Sequence, residues 1–221
     1  MAITDLQRNI KHIDGRVHEL FALIADGLQA ATEALLASDR ELAGKVVERD
    51  RRIDSIYEEL ETLLQDSVML QAPMTRDLRY LVSMLRIVPE LERCGDLVEH
   101  IASRAMRGLG DQLPPRVRGL VERMGEVGTE LWRLAAAVYD DPDADGVSRL
   151  HLRDTEMDDL RTLMMAEVVE AEVPLPVAME MALIARFYER LGDHAVNISN
   201  RMRFAQSGLG MVHKDDMKPG L

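Results

Sequence analysis

The sequence contains one motif twice, as Glu92-Arg93-Cys94-Gly95-Asp96 and as Glu189-Arg190-Leu191-Gly192-Asp193. The two copies lie 97 residues apart in a chain of 221 residues, and an isoleucine follows each Asp by five positions. Self-similarity at this spacing indicates a duplicated structural unit. Whatever the motif does is therefore expected to be done twice.

The two acids of each motif are four residues apart in a segment with helical hydrophobic spacing, which places both carboxylates on one face of a helix. Like charges at this spacing repel, and a glycine inside a helix costs about 1 kcal/mol relative to alanine. Because both copies carry both unfavourable features, we expect a compensating gain from a bound cation and from close helix approach at the glycine. The alternative is a solvent-exposed acidic face with a neighbouring arginine.

Composition favours a largely helical protein. Apolar residues make up 47% of the chain and charged residues 30%, whereas aromatic residues make up only 4%, which suits the packing of helix on helix. The formal net charge of −12 argues against a nucleic-acid partner and an anionic membrane surface, since both need clustered Lys and Arg. The charge favours cations or a basic protein partner.

The single cysteine, Cys94, excludes an intramolecular disulfide. Its counterpart in the second copy is Leu191, so we expect Cys94 to be a small core side chain. Residues 1–8 lack the apolar segment of a signal peptide, and the chain has no run of 18 apolar residues. These features predict a cytoplasmic protein without direct membrane insertion.

Hydrophobic periodicity predicts six helices. They cover residues 6–37, 38–70, 74–109, 115–139 and 147–171, and a last stretch from the proline break at 174–176 to about residue 205. Apolar residues recur at three-and-four spacing along the first helix, at Ile10, Ile13, Val17, Leu20, Ile24 and Leu28. Ser38 and Glu41 have the spacing of a capping box, which predicts Ser38 as the N-cap of the second helix.

Glycines and prolines between residues 108 and 115 form the clearest linker of the chain. We therefore divide the sequence into a first three-helix unit at residues 1–112, a second at residues 113–205 and a disordered tail at residues 206–221. Short connections make successive helices antiparallel, so each unit is expected to be an up-down-up bundle. The predicted fold class is all-α.

The middle helix of each unit carries a second pair of acids, four residues apart. If these helices face the motif helices, four carboxylates converge in each unit without an intervening basic side chain, and a hard or borderline metal ion would relieve their repulsion. Oxygen-only donors and the absence of paired cysteines point to Fe, Mn, Mg or Ca rather than to structural zinc. The expected ligands are Asp50, Asp54, Glu92 and Asp96 in the first unit and Asp154, Asp158, Glu189 and Asp193 in the second.

Polar residues next to the motifs have open roles. His100 and Asn197 lie four residues after each motif Asp and either extend the sites or are interfacial polar residues. Arg93 and Arg190 follow each Glu and point about 100° away from it on a helix, which suits partner contact, orientation of the carboxylates or structural ion pairs.

Residues 8–205 resemble the PhoU family of accessory and regulatory proteins of bacterial phosphate-specific transport. The resemblance is carried by residues 71–79, Gln-Ala-Pro-Met-Thr-Arg-Asp-Leu-Arg, which are similar to the family's Pro-x-x-x-Asp-Leu-Arg segment, and by the tandem motif, whose second copy runs on through His194-Ala195-Val196-Asn197-Ile198. It implies two tandem three-helix bundles related by a pseudo-twofold axis. It also implies polynuclear metal clusters on the eight carboxylates, with iron expected first and manganese, magnesium, zinc or calcium as alternatives.

The resemblance further implies contacts with the ATPase subunit of the phosphate transporter and with a sensor histidine kinase, through which uptake and signalling are damped when phosphate is ample. The first copy departs from the family pattern, since Leu97 and Glu99-His100 stand where the second has His194 and Val196-Asn197. The composition of the first cluster is therefore open. Because amphipathic bundles often associate, we also expect a homodimer.

Enzymatic interpretations find little support in the sequence. A ferritin-like di-iron oxidase needs Glu-x-x-His, and none of the six histidines has Glu three positions before it. Walker A, Gly-x-Ser-x-Gly and His-Glu-x-x-His motifs are absent as well. The sequence predicts a non-catalytic metal-binding adaptor. The alternatives are a metal-dependent hydrolase or oxidase that uses the same carboxylates and a metal-free helical scaffold.

One acidic stretch, residues 141–146, resembles the start of an EF-hand calcium loop. The ninth and twelfth positions of such a loop are occupied by Arg149 and Leu152, neither of which supplies a calcium ligand. We interpret the stretch as a solvated turn.

Overall fold

The computed structural model describes residues 2–70, 73–141, 143–171 and 173–207. These contain six α-helices and one short 3₁₀ helix, Leu109–Gln112, and no strand. The α-helices are α1 (Ala2–Ala37), α2 (Arg40–Leu70), α3 (Thr75–Met106), α4 (Pro115–Asp140), α5 (Ala144–Glu170) and α6 (Leu175–Ser207). The all-α prediction is confirmed.

The apolar stripe of α1 faces the core as its spacing predicts. Ile13, Val17, Leu20, Ile24 and Leu28 are fully buried, and Ile10 packs at the edge of the core. By length and composition alone, the part of α1 from Asp5 to Ala37 would also pass as a membrane span, but 56% of its most apolar window is buried within the protein. Core helices of soluble proteins pass the same test.

The turn between α1 and α2 corrects the predicted cap. Ser38 has a left-handed backbone with φ of 54°, and the amide of Asp39 donates to the carbonyl of Ala34 at 2.9 Å, which closes the end of α1 in a Schellman-type turn. The Asp39 carboxylate then accepts from the amides of Glu41 at 3.0 Å and Leu42 at 2.9 Å. The N-cap of α2 is therefore Asp39 and not Ser38, because Ser38 is needed to terminate the preceding helix.

Each three-helix unit is a bundle in which every helix packs against the other two, and the units meet through α1 on α4 and α3 on α6. These contacts join helices that occupy equivalent places in the two halves, as a pseudo-twofold axis requires. The buried apolar residues form one continuous cluster, with Trp132 and Tyr188 as its largest fully buried members. The phenol of Tyr188 in α6 hydrogen-bonds the Thr32 hydroxyl in α1 at 2.6 Å, so polar contacts also join the halves.

The predicted linker is a packed segment. Gly108 adopts φ of 77°, which favours glycine, and ends α3 before the 3₁₀ helix. Gly110 lies so close to α1 that a Cβ there would come within 2.0 Å of the Leu35 carbonyl oxygen. Arg118 also donates to the Gly110 carbonyl at 3.0 Å. The division placed at residue 112 coincides with the end of the 3₁₀ helix.

Several predicted boundaries differ from the structure. Helix α1 begins at Ala2 and not at residue 6, and α3 ends at Met106 and not at residue 109. Helix α5 begins at Ala144, three residues before the predicted Val147, because the Asp143 carboxylate caps it by accepting from the Gly146 amide at 2.5 Å. The solvated-turn interpretation of residues 141–146 is therefore wrong beyond Asp143. Helix α6 continues to Ser207, beyond the predicted residue 205. The rest of the expected tail, residues 208–221, lies outside the described residues, as do residues 71, 72 and 142.

Candidate metal centres

The motif glycines are points of close helix approach. A Cβ added at Gly95 in α3 would lie 2.8 Å from Ile53 Cδ1 and 3.0 Å from Asp50 Oδ1, both in α2. A Cβ at Gly192 in α6 would lie 2.7 Å from Asp154 Oδ1 in α5. In each unit the glycine therefore admits an aspartate of the middle helix against the motif helix, which confirms the expected close approach.

The first cluster brings its four predicted carboxylates near enough to repel one another. Burial, reinforced by the charges of Asp54 and Asp96, raises the pKa of Asp50 from 3.8 to about 6. Burial also raises the pKa of Glu92, with Asp96 and Asp54 adding to the effect. The pKa of Asp96 is raised by burial as well, against an opposing effect of His100. Folding thus concentrates negative charge between α2 and α3.

No basic side chain of the described chain neutralises this first cluster through a salt bridge or hydrogen bond to Asp50, Asp54, Glu92 or Asp96. Arg93 acts on Glu92 through its charge. His100 Nδ1 lies 3.3 Å from Glu99 Oε2, and the same atom donates to the Asp96 backbone oxygen at 2.6 Å. The charge of the first cluster is therefore left to solvent or to a bound cation.

The second cluster is more buried than the first and includes a basic side chain. Asp154 is 1% exposed and Glu189 is 7% exposed. Burial and the charge of Asp193 raise the pKa of Glu189, whereas Arg186 and Arg161 oppose the shift. The Arg186 guanidinium contacts both carboxylate oxygens of Glu189. The expectation of no intervening basic side chain is therefore wrong for the second unit.

Arg186 is one source of the unequal charge of the two clusters. Arg186 reaches Glu189 from one helical turn earlier, and 97 residues before it the first copy has Pro89, which carries no charge. Asp158 and Asp193 belong to the second cluster, since the charges of both raise the pKa of Glu189. Asp193 also lies on the same helix as Glu189. The repeat thus preserves the four acids in each unit but not their counter-charge.

The eight carboxylates are donors of the type that a hard metal ion prefers, but their present side-chain rotamers do not form a metal site. Across the described ranges, no group of three or more His, Cys, Asp or Glu side chains is arranged to hold a metal ion. Asp50 and Asp154 are held against the glycines, whereas Asp54 and Asp96 are exposed and have room to turn. Binding would therefore require side-chain rotation, and the metal centres stay a prediction.

Neighbouring residues have clearer roles. The His100 ring packs edge-on against Phe187 of α6, with ring centroids 5.4 Å apart, so His100 belongs to the α3–α6 interface. Asn197 is exposed. Cys94 is fully buried, and burial raises its thiol pKa well above the usual value, which confirms it as an inert core side chain.

Ion pairs between the units could not be predicted from local sequence patterns. Arg104 of α3 is only 8% exposed, and its Nε lies 2.7 Å from Glu180 Oε2 of α6. His194 Nδ1 of α6 contacts Glu90 Oε2 of α3, and this contact lowers the pKa of Glu90. The partners are 76 and 104 residues apart in the sequence, so no local spacing could have identified them.

Comparison with known proteins decides the family. The PhoU domain model matches residues 17–105 and 121–202, one stretch in each three-helix unit. The chain belongs to the PhoU family. Its PhoU relatives include the phosphate-specific transport system accessory protein PhoU homolog 2 of Mycobacterium tuberculosis, 31% identical over 93% of this chain and 98% of its own length. Homolog 1 of the same organism is 32% identical, over 93% and 95% of the two chains.

Solved PhoU structures share the fold. The crystal structure of PhoU from Pseudomonas aeruginosa matches with a TM-score of 0.84 at 23% identity and covers 92% of this chain and 99% of its own. The phosphate transport system regulatory protein PhoU from Streptococcus pneumoniae matches with a TM-score of 0.81 at 21% identity, over 96% and 100% of the two chains. The predicted pair of tandem three-helix bundles is confirmed.

Proposed function

We propose that this protein is a metal-binding regulatory adaptor of phosphate-specific transport that lowers phosphate uptake and phosphate-responsive signalling when phosphate is ample. Family membership supports the regulatory part, because relatives are named as accessory or regulatory proteins of phosphate transport. The observation that carries the metal part is the first cluster, in which Asp50, Asp54, Glu92 and Asp96 accumulate charge without a salt bridge or hydrogen bond to a basic side chain of the described residues.

The same chemistry limits which ions fit. Asp50, Asp54, Glu92 and Asp96 would hold one centre and Asp154, Asp158, Glu189 and Asp193 the other. Carboxylate oxygens favour hard ions. The family resemblance puts iron first, with manganese, magnesium, zinc or calcium as alternatives. A bound cation neutralises the carboxylates that folding brings together, which strengthens the packing of the middle helix on the motif helix.

The adaptor is proposed to act in the cytoplasm as a homodimer that contacts the ATPase subunit of the transporter and a sensor histidine kinase. The carboxylates would then serve structure and regulation, and no catalytic residue is assigned. A net charge of −12 favours basic surfaces on at least one partner and makes the association sensitive to salt. Sedimentation of the purified protein tests the dimer.

Metal analysis tests the metal part directly. The purified protein is expected to retain iron or a related ion. The double variant Glu92→Ala/Asp96→Ala should lose the ion of the first unit, and Glu189→Ala/Asp193→Ala should lose the ion of the second. Asp66→Ala, which removes an exposed acid of α2 outside the cluster, is the matched control. Equal metal content in all four proteins would leave the metal-free scaffold as the better interpretation.

A cellular assay tests the regulatory part. Deletion of the gene is expected to raise phosphate uptake and the output of a phosphate-starvation reporter in phosphate-rich medium, and the wild-type gene should restore repression. Turnover of phosphate esters or peroxide by the metal-loaded protein, lost in Glu92→Ala/Asp96→Ala, would instead favour the enzymatic alternative. Unchanged uptake and reporter output after deletion would contradict the adaptor.

A further inference from the structure

We propose that one exposed face of α3 binds an acidic amphipathic segment of a protein partner. This face, the α3 stripe, consists of Leu78, Val82, Arg86 and Arg93. Their spacing of four, four and seven residues places them on one side of the helix. The inference rests on the proposed adaptor function, for which it supplies a docking surface.

The apolar half of the α3 stripe is open to solvent. Leu78 is 39% exposed and Val82 is 40% exposed, whereas Met84 on the opposite side of the helix is fully buried. Met74, at the start of α3, is 80% exposed and extends the apolar surface toward the end of α2. Contiguous apolar side chains left on the surface indicate contact with a partner.

The basic half of the α3 stripe consists of two arginines, of which Arg93 acts on Glu92 and Glu90 through its charge. Arg86 and Arg93 are exposed, and neither forms an ion pair or hydrogen bond with a described residue, in a protein with 39 acidic and 27 basic side chains. Two other arginines, Arg16 and Arg123, each pair with two glutamates. Two unpaired guanidinium groups in line with exposed apolar residues complement a segment that combines an apolar face with carboxylates.

The second unit repeats much of this surface. The positions 97 residues later are Leu175, Met179, Leu183 and Arg190, and the three apolar residues are 73%, 61% and 45% exposed. Arg190 is exposed and has no ion pair with a described residue. Because Leu183 replaces Arg86, this second stripe carries one unpaired arginine instead of two. Repetition of exposed apolar positions in both halves argues against a chance feature of one helix.

Charge favours a protein partner over a membrane. Anionic lipid surfaces attract clusters of about 4 to 8 Lys and Arg, whereas the α3 stripe has two arginines on a protein of net charge −12. An acidic amphipathic helix needs only those two contacts and the apolar surface beside them. Arg93 is adjacent in sequence to Glu92 of the first cluster, so a segment docked here would end beside the proposed metal centre.

Binding of the full-length protein to its proposed partners tests the α3 stripe. We would measure the Kd for the purified transporter ATPase subunit and for the cytoplasmic part of the histidine kinase, at low and at high salt. Val82→Glu and Arg86→Glu/Arg93→Glu are expected to weaken binding to at least one of them by about tenfold or more. Leu152→Glu and Arg51→Glu, at exposed positions outside the stripe, should leave the Kd within about twofold. Circular dichroism and thermal unfolding would establish that each variant is folded.

The outcomes separate this inference from the adaptor function. If the wild-type protein binds a partner and folded stripe variants bind it equally well, the α3 stripe is overturned and the adaptor stands. If the wild-type protein binds neither partner, the adaptor function fails and the stripe fails with it. If the stripe variants lose the wild-type protein's binding to phosphatidylcholine vesicles containing phosphatidylglycerol but still bind the protein partners, the surface would be assigned to membranes. Loss of a dimer alone would assign it to a second copy of the chain, and either result overturns the proposal.

Discussion

Gly95 of α3 lies directly against Asp50 of α2, so that a Cβ at position 95 would approach the Asp50 carboxylate oxygen to 3.0 Å. Gly192 and Asp154 repeat the contact in the second unit. In both units the missing side chain of glycine allows a carboxylate to be partly or wholly withdrawn from water beside a second helix. The glycine and the acid are therefore one structural feature, and a change at either affects the other.

Gly95→Ala tests this contact. Although alanine gains about 1 kcal/mol in helix propensity, overpacking against Ile53 and Asp50 costs about 1 to 3 kcal/mol, so we expect a net loss of about 1 kcal/mol in the free energy of unfolding. Gly119→Ala is the control, since nothing lies within 4 Å of a Cβ there, and it should stabilise the protein by about 0.5 to 1 kcal/mol. Urea denaturation measures both. A stabilising Gly95→Ala would show that the approach at Gly95 is looser than the structure indicates.

The pH dependence of stability tests the raised pKa of Asp50. Between pH values near 3.8 and about 6 the folded state binds more protons than the unfolded state, so this group lowers stability as pH rises through that window. In metal-free buffer near pH 7.5, Asp50→Asn is expected to be more stable than wild type by on the order of 1 kcal/mol, allowing for solvent screening of a half-buried group. The difference should disappear near pH 4. Parallel pH profiles for the two proteins would contradict a raised pKa.

The Arg186 counter-charge makes the two clusters unequal, which Arg186→Ala tests in a Glu92→Ala/Asp96→Ala background. Arg186 contacts both carboxylate oxygens of Glu189, so a metal ion that binds Glu189 must first break this ion pair, which costs about 1 kcal/mol. Removal of Arg186 removes that cost. We expect Mn²⁺ to bind about fivefold more tightly by titration calorimetry. Arg190→Ala, at an exposed position without an ion pair to a described residue, should leave the affinity unchanged. Weaker binding by Arg186→Ala would mean that the arginine supports the site.

The contact between the units is tested by Arg104→Ala. Arg104 pairs with Glu180 and lies over the Phe187 ring, 4.7 Å from its centroid, so its removal loses both contacts and leaves Glu180 without its close partner. We expect a loss of about 2 to 3 kcal/mol in the free energy of unfolding. Arg107, which is 65% exposed and 3.9 Å from the same glutamate, is the control, and its change to alanine should cost less than about 0.5 kcal/mol. Equal effects would show that burial of Arg104 contributes nothing.

Helices and their buried faces were predictable from the sequence because they depend on local periodicity. The stripe through Ile13, Val17 and Leu20 is fully buried as its spacing predicts, and Cys94 is buried as its alignment with Leu191 predicts. Close approach at Gly95 was predictable too, since a glycine in a helix interior needs a compensating contact. These inferences required only the properties of a single helix and its repeat.

Features that depend on two distant segments were not predictable. Arg186 pairs with Glu189 on its own helix, but the same spacing is common on exposed faces, so its place inside the second cluster emerged only from the burial of Glu189. The cap moved from Ser38 to Asp39 because adjacent helices compete for the same turn residues. Asp14 accepts hydrogen bonds from Tyr80 at 2.5 Å and Tyr139 at 2.7 Å, which joins three helices that no motif connects.

The continuous core has a consequence for how such a chain could arise. Since α1 covers α4 and α3 covers α6, either half alone would leave two apolar helix faces open to water. A gene encoding one repeat would therefore yield a polypeptide that needs another copy to shield those faces. Fusion of two such genes would convert an association that depends on concentration into a permanent one, after which each half was free to diverge, as Pro89 and Arg186 have done.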